Sequence, residues 1–158
     1  LGYGTTRSML EGYVERINSL SPDVVIIAGD LIDNSIVPVK EASMGEVLSR
    51  IRTTRGVYMA LGNHEYISGI DESLDYLATT PIVVLRDSVA MLDEGVAIIG
   101  RKDRGKDRLS IAELMGKADS ESYTIMMDHQ PFELEIGRDN GVDLMVCGHT
   151  HGGHGAGR

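Results

Sequence analysis

Val24-Val25-Ile26-Ile27-Ala28-Gly29-Asp30-Leu31-Ile32-Asp33 is the stretch on which the fold turns. Its first five residues are apolar and mostly β-branched, and Pro22 and Gly29 bound them, which predicts a strand buried on both faces. Upstream, Leu10, Tyr13, Val14, Ile17 and Leu20 recur on one helical face, so a helix is expected over about 6–20. Thr5 and Thr6 are candidate N-caps for it, and Ser8 with Glu11 has capping-box spacing. Downstream the pattern alternates: a helix over about 39–51, a strand over 57–61, a helix over about 71–77 and strands over 82–85, 89–92 and 96–99. A short helix at 110–116, a strand at 123–127, a helical segment near 132–140 and a strand at 144–147 complete it. Strands alternating with helices predict a layered α/β architecture, and the closely spaced strands of 82–100 predict an antiparallel part or a second sheet.

The sequence has 158 residues, 42% apolar and 25% charged, an ordinary globular composition for one domain spanning 1–158. The single cysteine, Cys147, has no internal partner for a disulfide and reads as a small core residue at a strand end. No apolar run is long enough to span a bilayer and no leader pattern opens the chain, so a soluble domain is expected, cytoplasmic or tethered to a membrane through segments outside this sequence. Fifteen Lys and Arg against 24 Asp and Glu give a net charge of −9, which weighs against affinity built on nucleic-acid phosphates.

Four strands end in polar turns, three of them histidine-bearing: Gly29-Asp30, Gly62-Asn63-His64-Glu65, Asp128-His129-Gln130 and Gly148-His149-Thr150-His151. In α/β sheets the carboxyl ends of adjacent strands are where side chains converge, so these turns are expected along one sheet edge, around one crevice. Imidazole, carboxylate and amide oxygen without a thiolate cluster suit Mn, Fe, Zn, Co or Ni.

In order and spacing the four motifs resemble the calcineurin-like metallophosphoesterase family, and among its members a bacterial, membrane-associated subgroup. The resemblance implies an α/β/β/α sandwich and a phosphoric ester hydrolase in which a metal-bound hydroxide attacks a phosphomonoester, phosphodiester or pyrophosphate. It implies that Asp30 bridges two metals, that Asn63, His129 and His149 complete one site, and that His151 serves the other. His64 would stand beside the metals and assist the leaving group, while Asp33 and Glu65 would orient ligands and backbone. The family's opening Asp-x-His motif and its last strands have no counterpart between Leu1 and Arg158. The expectation is therefore a partial domain with one metal and little turnover of its own. The small substrate would be phosphorylated or lipid-linked. A catalytically silent scaffold that binds a protein partner is the alternative.

Taken singly, each motif has a plainer reading. Gly29-Asp30 is a turn or cap, His129 a hydrogen-bonded core histidine, Asp33 and Glu65 purely structural, and His154 a loop residue. Gly100-Arg101-Lys102-Asp103-Arg104-Gly105-Lys106 has P-loop spacing, but Asp107 stands where a hydroxyl should be. Its cations, Arg101 and Arg104 foremost, read either as a basic lip toward an anionic substrate or a lipid surface, or as a solvated loop.

Overall fold

The computed structural model describes residues 1–92 and 95–150. Helix α1 (Arg7–Ser19) starts at Thr6, whose hydroxyl accepts the Met9 N–H at 3.2 Å. Ser8 lies inside the helix, so the expected Ser8–Glu11 box does not form, and Glu11 pairs with Arg7 and Arg50 instead. Only Leu10 and Val14 of the expected face are buried; Tyr13 and Leu20 are exposed.

The helix expected over 39–51 is two helices, α2 (Val37–Glu41) and α3 (Met44–Leu48). The break falls at Ser43, in the left-handed region at φ 48°, which ends α-helical hydrogen bonding. The Arg7 guanidinium donates to the freed carbonyls of Ala42 and Ser43, each at 3.0 Å.

Strands β1 (Val25–Ile27), β2 (Val57–Ala60) and β3 (Ile82–Leu85) form a three-stranded parallel sheet in that order. Helices α4 (Asn63–Ile67) and α5 (Ile70–Leu77) connect β2 to β3. Strands β4 (Ser88–Leu92), β5 (Val96–Gly100), β6 (Tyr123–Met127) and β7 (Leu144–Val146) form a second sheet. Within it β4 runs antiparallel to β5 and the others are parallel. Helices α6 (Ile111–Met115) and α7 (Leu134–Asp139) are its crossovers, and Ser110 and Glu113 cap α6 reciprocally. The β1 residues are only half-buried, because β1 is an outer strand of its sheet among the described residues.

The period of two along the strands sorts the core into layers. Val57 and Met59 pack against α1, α3 and α5 through Leu10, Val14, Val47 and Leu77. Tyr58 and Ala60 meet Ile98 and Met127 between the sheets. Ile99 and Met126 face outward onto Ile111 and Leu114 of α6. The architecture is the helix–sheet–sheet–helix sandwich of the sequence reading. The four polar turns leave two sheets rather than one edge: Gly29-Asp30 and Gly62-Asn63 follow β1 and β2, and Asp128-His129 and Gly148-His149 follow β6 and β7.

Candidate metal centre

The turns after β1 and β2 approach so closely that neither tolerates a side chain at its glycine. A Cβ on Gly29 would stand 2.6 Å from both Gly62 N and His129 Nδ1, and one on Gly62 would stand 2.1 Å from Asp30 Oδ1. Gly29 and Asp30 both have positive φ, 88° and 55°, a conformation that glycine adopts freely and aspartate tolerates. Glu65, fully buried in the first turn of α4, fastens this geometry. Its carboxylate accepts the N–H of Asp30 at 3.0 Å, of Ile32 at 2.9 Å and of Gly62 at 2.8 Å. Burial pushes that carboxyl above its usual range, against the pull of the three N–H groups. Gly62→Ala forces the Asp30 carboxylate to move, and is expected to cost about 1–3 kcal/mol as overpacking and to lower metal content; a melting curve and elemental analysis check both.

Asp30 Oδ1 accepts the His64 N–H at 2.9 Å, and Oδ2 lies 3.0 Å from His129 Nε2. His129 Nδ1 is 2.6 Å from the Ala28 carbonyl, an acceptor only, so Nδ1 carries the proton. Nε2 is buried and, despite its nearness to Asp30, has no hydrogen bond of acceptable geometry. Two ligand atoms side by side, one of them without a hydrogen bond, suit a cation. Bonds of roughly 2.0–2.3 Å at near right angles set neighbouring ligands about 3 Å apart. His149, at φ 64°, brings its ring to 5.2 Å from that of His129, with Nδ1 3.0 Å from Asn63 Oδ1. Donor atoms of Asp30, His129 and His149 all lie within 4.8 Å of one another. These residues line an open cleft of about 330 Å³.

Burial pushes the Asp30 carboxyl up, but the His129 ring, the His64 N–H and both imidazoles more than offset it, leaving it below the usual carboxylate range. Burial pushes His129 down, and Asp30 and the Ala28 carbonyl raise it above the usual histidine value. His64 stands apart from the donor cluster, with Nδ1 2.7 Å from Asp33 Oδ1. His151 and His154 lie outside the described residues.

The basic lip is corrected in part. Arg101 is 4% exposed, and its guanidinium is spent on Asp128, Glu133 and the Leu109 carbonyl, so it faces no substrate. Arg108 joins the same two carboxylates, and Lys102 pairs with Asp87. Arg104 is exposed and lies over the Phe132 ring at 4.1 Å. No helix begins at the P-loop-like segment; α6 starts only at Ile111. Cys147 is not a core residue but lines the cleft, because β7 ends at Val146, and burial pushes its thiol up. The sequence reading missed the role of Asp128, fully buried beneath two arginines. A carboxylate directly between an apolar strand and His129 was its one signal. It also missed α4, whose five residues are too few for helical periodicity to show.

The sequence profile of the calcineurin-like phosphoesterases matches residues 3–153. An uncharacterized metallophosphoesterase of Helicobacter pylori is 33% identical over 149 residues, 89% of this chain and 39% of that protein. A transmembrane protein with metallophosphoesterase domain from Danio rerio is 27% identical, over 97% of this chain and 38% of its own length. The chain thus spans about two fifths of these relatives. The solved NAD nucleotidase of Haemophilus influenzae superposes with a TM-score of 0.60 at 20% identity, covering 92% of this chain and 32% of that one, a likeness of fold. Among the described residues no helix is long and apolar enough to cross a membrane.

Proposed function

The chain belongs to the calcineurin-like phosphoesterase family, and from that membership we propose that it serves metal-dependent hydrolysis of a phosphoric ester at the cleft of Asp30, Asn63, His129 and His149. The observation that carries this reading is the unbonded, buried Nε2 of His129 beside Asp30 Oδ2 at 3.0 Å. When bound, the metal supplies Lewis acidity toward a phosphoryl oxygen and a water. Among the ions the donors suit, manganese is the first to try. Asp30 and His129, with His149 and Asn63, would hold it. The Ala28 carbonyl keeps His129 in the tautomer whose free nitrogen faces the cleft. Glu65 holds the Asp30 backbone, and Asp33 orients His64, which stands beside the cleft to protonate a departing alkoxide.

The substrate we infer is a small phosphorylated or lipid-linked ester; the net charge of −9 weighs against nucleic acid. The Danio relative's description supports a membrane-associated setting.

Elemental analysis should find about one ion per chain for this donor set. Chelation should abolish hydrolysis of chromogenic mono- and diesters, and metal should restore it. Hydrolysis that survives exhaustive chelation overturns the reading. Because the His129 value is raised, a proton holds Nε2 to higher pH than on an ordinary histidine, and loading should rise as pH climbs through that raised value. In the metal-free chain the His129–Asp30 contact works in the opposite sense. Its contribution from the imidazolium is present below the ordinary histidine value and fades as pH rises through the raised one; that from Asp30 fades as pH falls through its lowered value. Metal binding followed against pH checks the sign.

A further inference from the structure

The segment between β5 and α6 touches the turn after β6 and helix α4. Gln130, next to His129, donates to buried Asp103 at 2.7 Å, and Lys106 lies over the Tyr66 ring of α4 at 4.5 Å. Of the segment's five cations, Arg101, Lys102 and Arg108 are neutralised by Asp87, Asp128 and Glu133. Arg104 and Lys106 form no ion pair: among the described residues neither has a carboxylate within ion-pair distance, and Glu133 feels the charge of Arg104 only from further off. Each is held against an aromatic face, Phe132 and Tyr66 respectively. A ring face fixes a cation in place through its quadrupole and leaves the N–H donors unspent. Tyr66 lies one turn of α4 beyond Asn63, and Phe132 three residues beyond His129, so both rings are carried by the chain segments that bear candidate ligands.

We propose that Arg104 and Lys106, held against Phe132 and Tyr66, form a second anion subsite that takes a phosphate of the substrate other than the one being hydrolysed. The inference rests on the phosphoesterase reading and narrows it: the preferred substrate carries two phosphate groups on one skeleton. In a chain of net charge −9, a bisphosphate is drawn to this rim because Arg104 and Lys106 keep N–H donors that no ion pair takes up, although the Glu133 carboxylate feels the charge of Arg104. The second phosphate can belong to a soluble metabolite or to a lipid headgroup.

Calorimetric titration of the metal-loaded protein with propyl phosphate and with propane-1,3-diyl bisphosphate tests it. The bisphosphate should bind about tenfold tighter, the equivalent of one good charge-assisted contact. Arg104→Gln with Lys106→Gln should shrink that ratio below about twofold. The charge-keeping exchange Arg104→Lys with Lys106→Arg should retain most of it, and both pairs lie on an exposed segment where folding is checked by the melting curve. Equal affinity of the wild type for the two ligands, or a ratio that survives the double glutamine variant, overturns the subsite. Propyl phosphate binding that survives chelation overturns the metal reading instead, which separates the two failures. Flotation with phosphatidylglycerol vesicles, lost in the glutamine variant, identifies a lipid source; a full ratio without vesicle binding identifies a soluble one.

Discussion

Replacing His64 by alanine in the protein that carries this chain is expected to lower turnover on an alkyl phosphate ester by about 10²–10⁴-fold, the usual worth of a positioned general acid, while metal content stays the same. The geometry separates the two readouts. The His64 ring is outside the donor cluster, and its link to Asp30 runs through the backbone N–H, which alanine keeps. The ring itself is held by Asp33, whose Oδ1 lies 2.7 Å from Nδ1, so Nε2 is the nitrogen left for the proposed proton transfer. The loss should shrink on p-nitrophenyl esters, whose leaving group needs little protonation. Asp33→Asn should fall between wild type and His64→Ala. A variant that loses its metal, or that keeps full turnover on an alkyl ester, removes His64 from this role.

Asp128→Ala is expected to cost about 3–5 kcal/mol, the range for removing one partner of a buried ion pair. The side chains of Asp128, Arg101 and Arg108 are 0%, 5% and 8% exposed, and Asp128 lies 3.0 Å from one guanidinium and 3.2 Å from the other. Without it, two buried guanidiniums share Glu133 alone. For a chain of this size each kcal/mol lowers Tm by roughly 2–4 °C, so the melting point should fall by about 10 °C. Because Asp128 immediately precedes His129, metal content should fall as well. Urea unfolding of wild type, Asp128→Ala and Arg101→Met with Arg108→Met compares loss of the carboxylate with loss of the charges it serves. A cost below about 1 kcal/mol for Asp128→Ala would mean that solvent reaches these groups.

The strands were legible because their signal is local. The run from Val24 to Ala28, and Ile82–Leu85 and Tyr123–Met127, announce strands through β-branching and flanking breakers. The break at Ser43 was not legible. The residues on either side continue a helical pattern, and what stabilises the break is Arg7, 35 residues away from Ala42.

The candidate site divides along the same line. Gly29-Asp30, Gly62-Asn63-His64, His129 and Gly148-His149 were readable as motifs, because a ligand must be a particular residue type at a particular strand end whatever surrounds it. Which cations of the 101–108 segment remain free was not readable. Arg101 and Arg104 are three residues apart in one polar run, and nothing in their spacing distinguishes them. Folding does, by placing Asp128, 27 residues beyond Arg101, under one guanidinium and Phe132 under the other. The tautomer of His129 likewise depends on Ala28, 101 residues earlier and in the other sheet. Residue type and local periodicity are properties of the chain and determine which elements form and which donors they carry. Charge neutralisation and tautomer depend on neighbours within about 3–4 Å, and only the packing of the two sheets decides who those neighbours are.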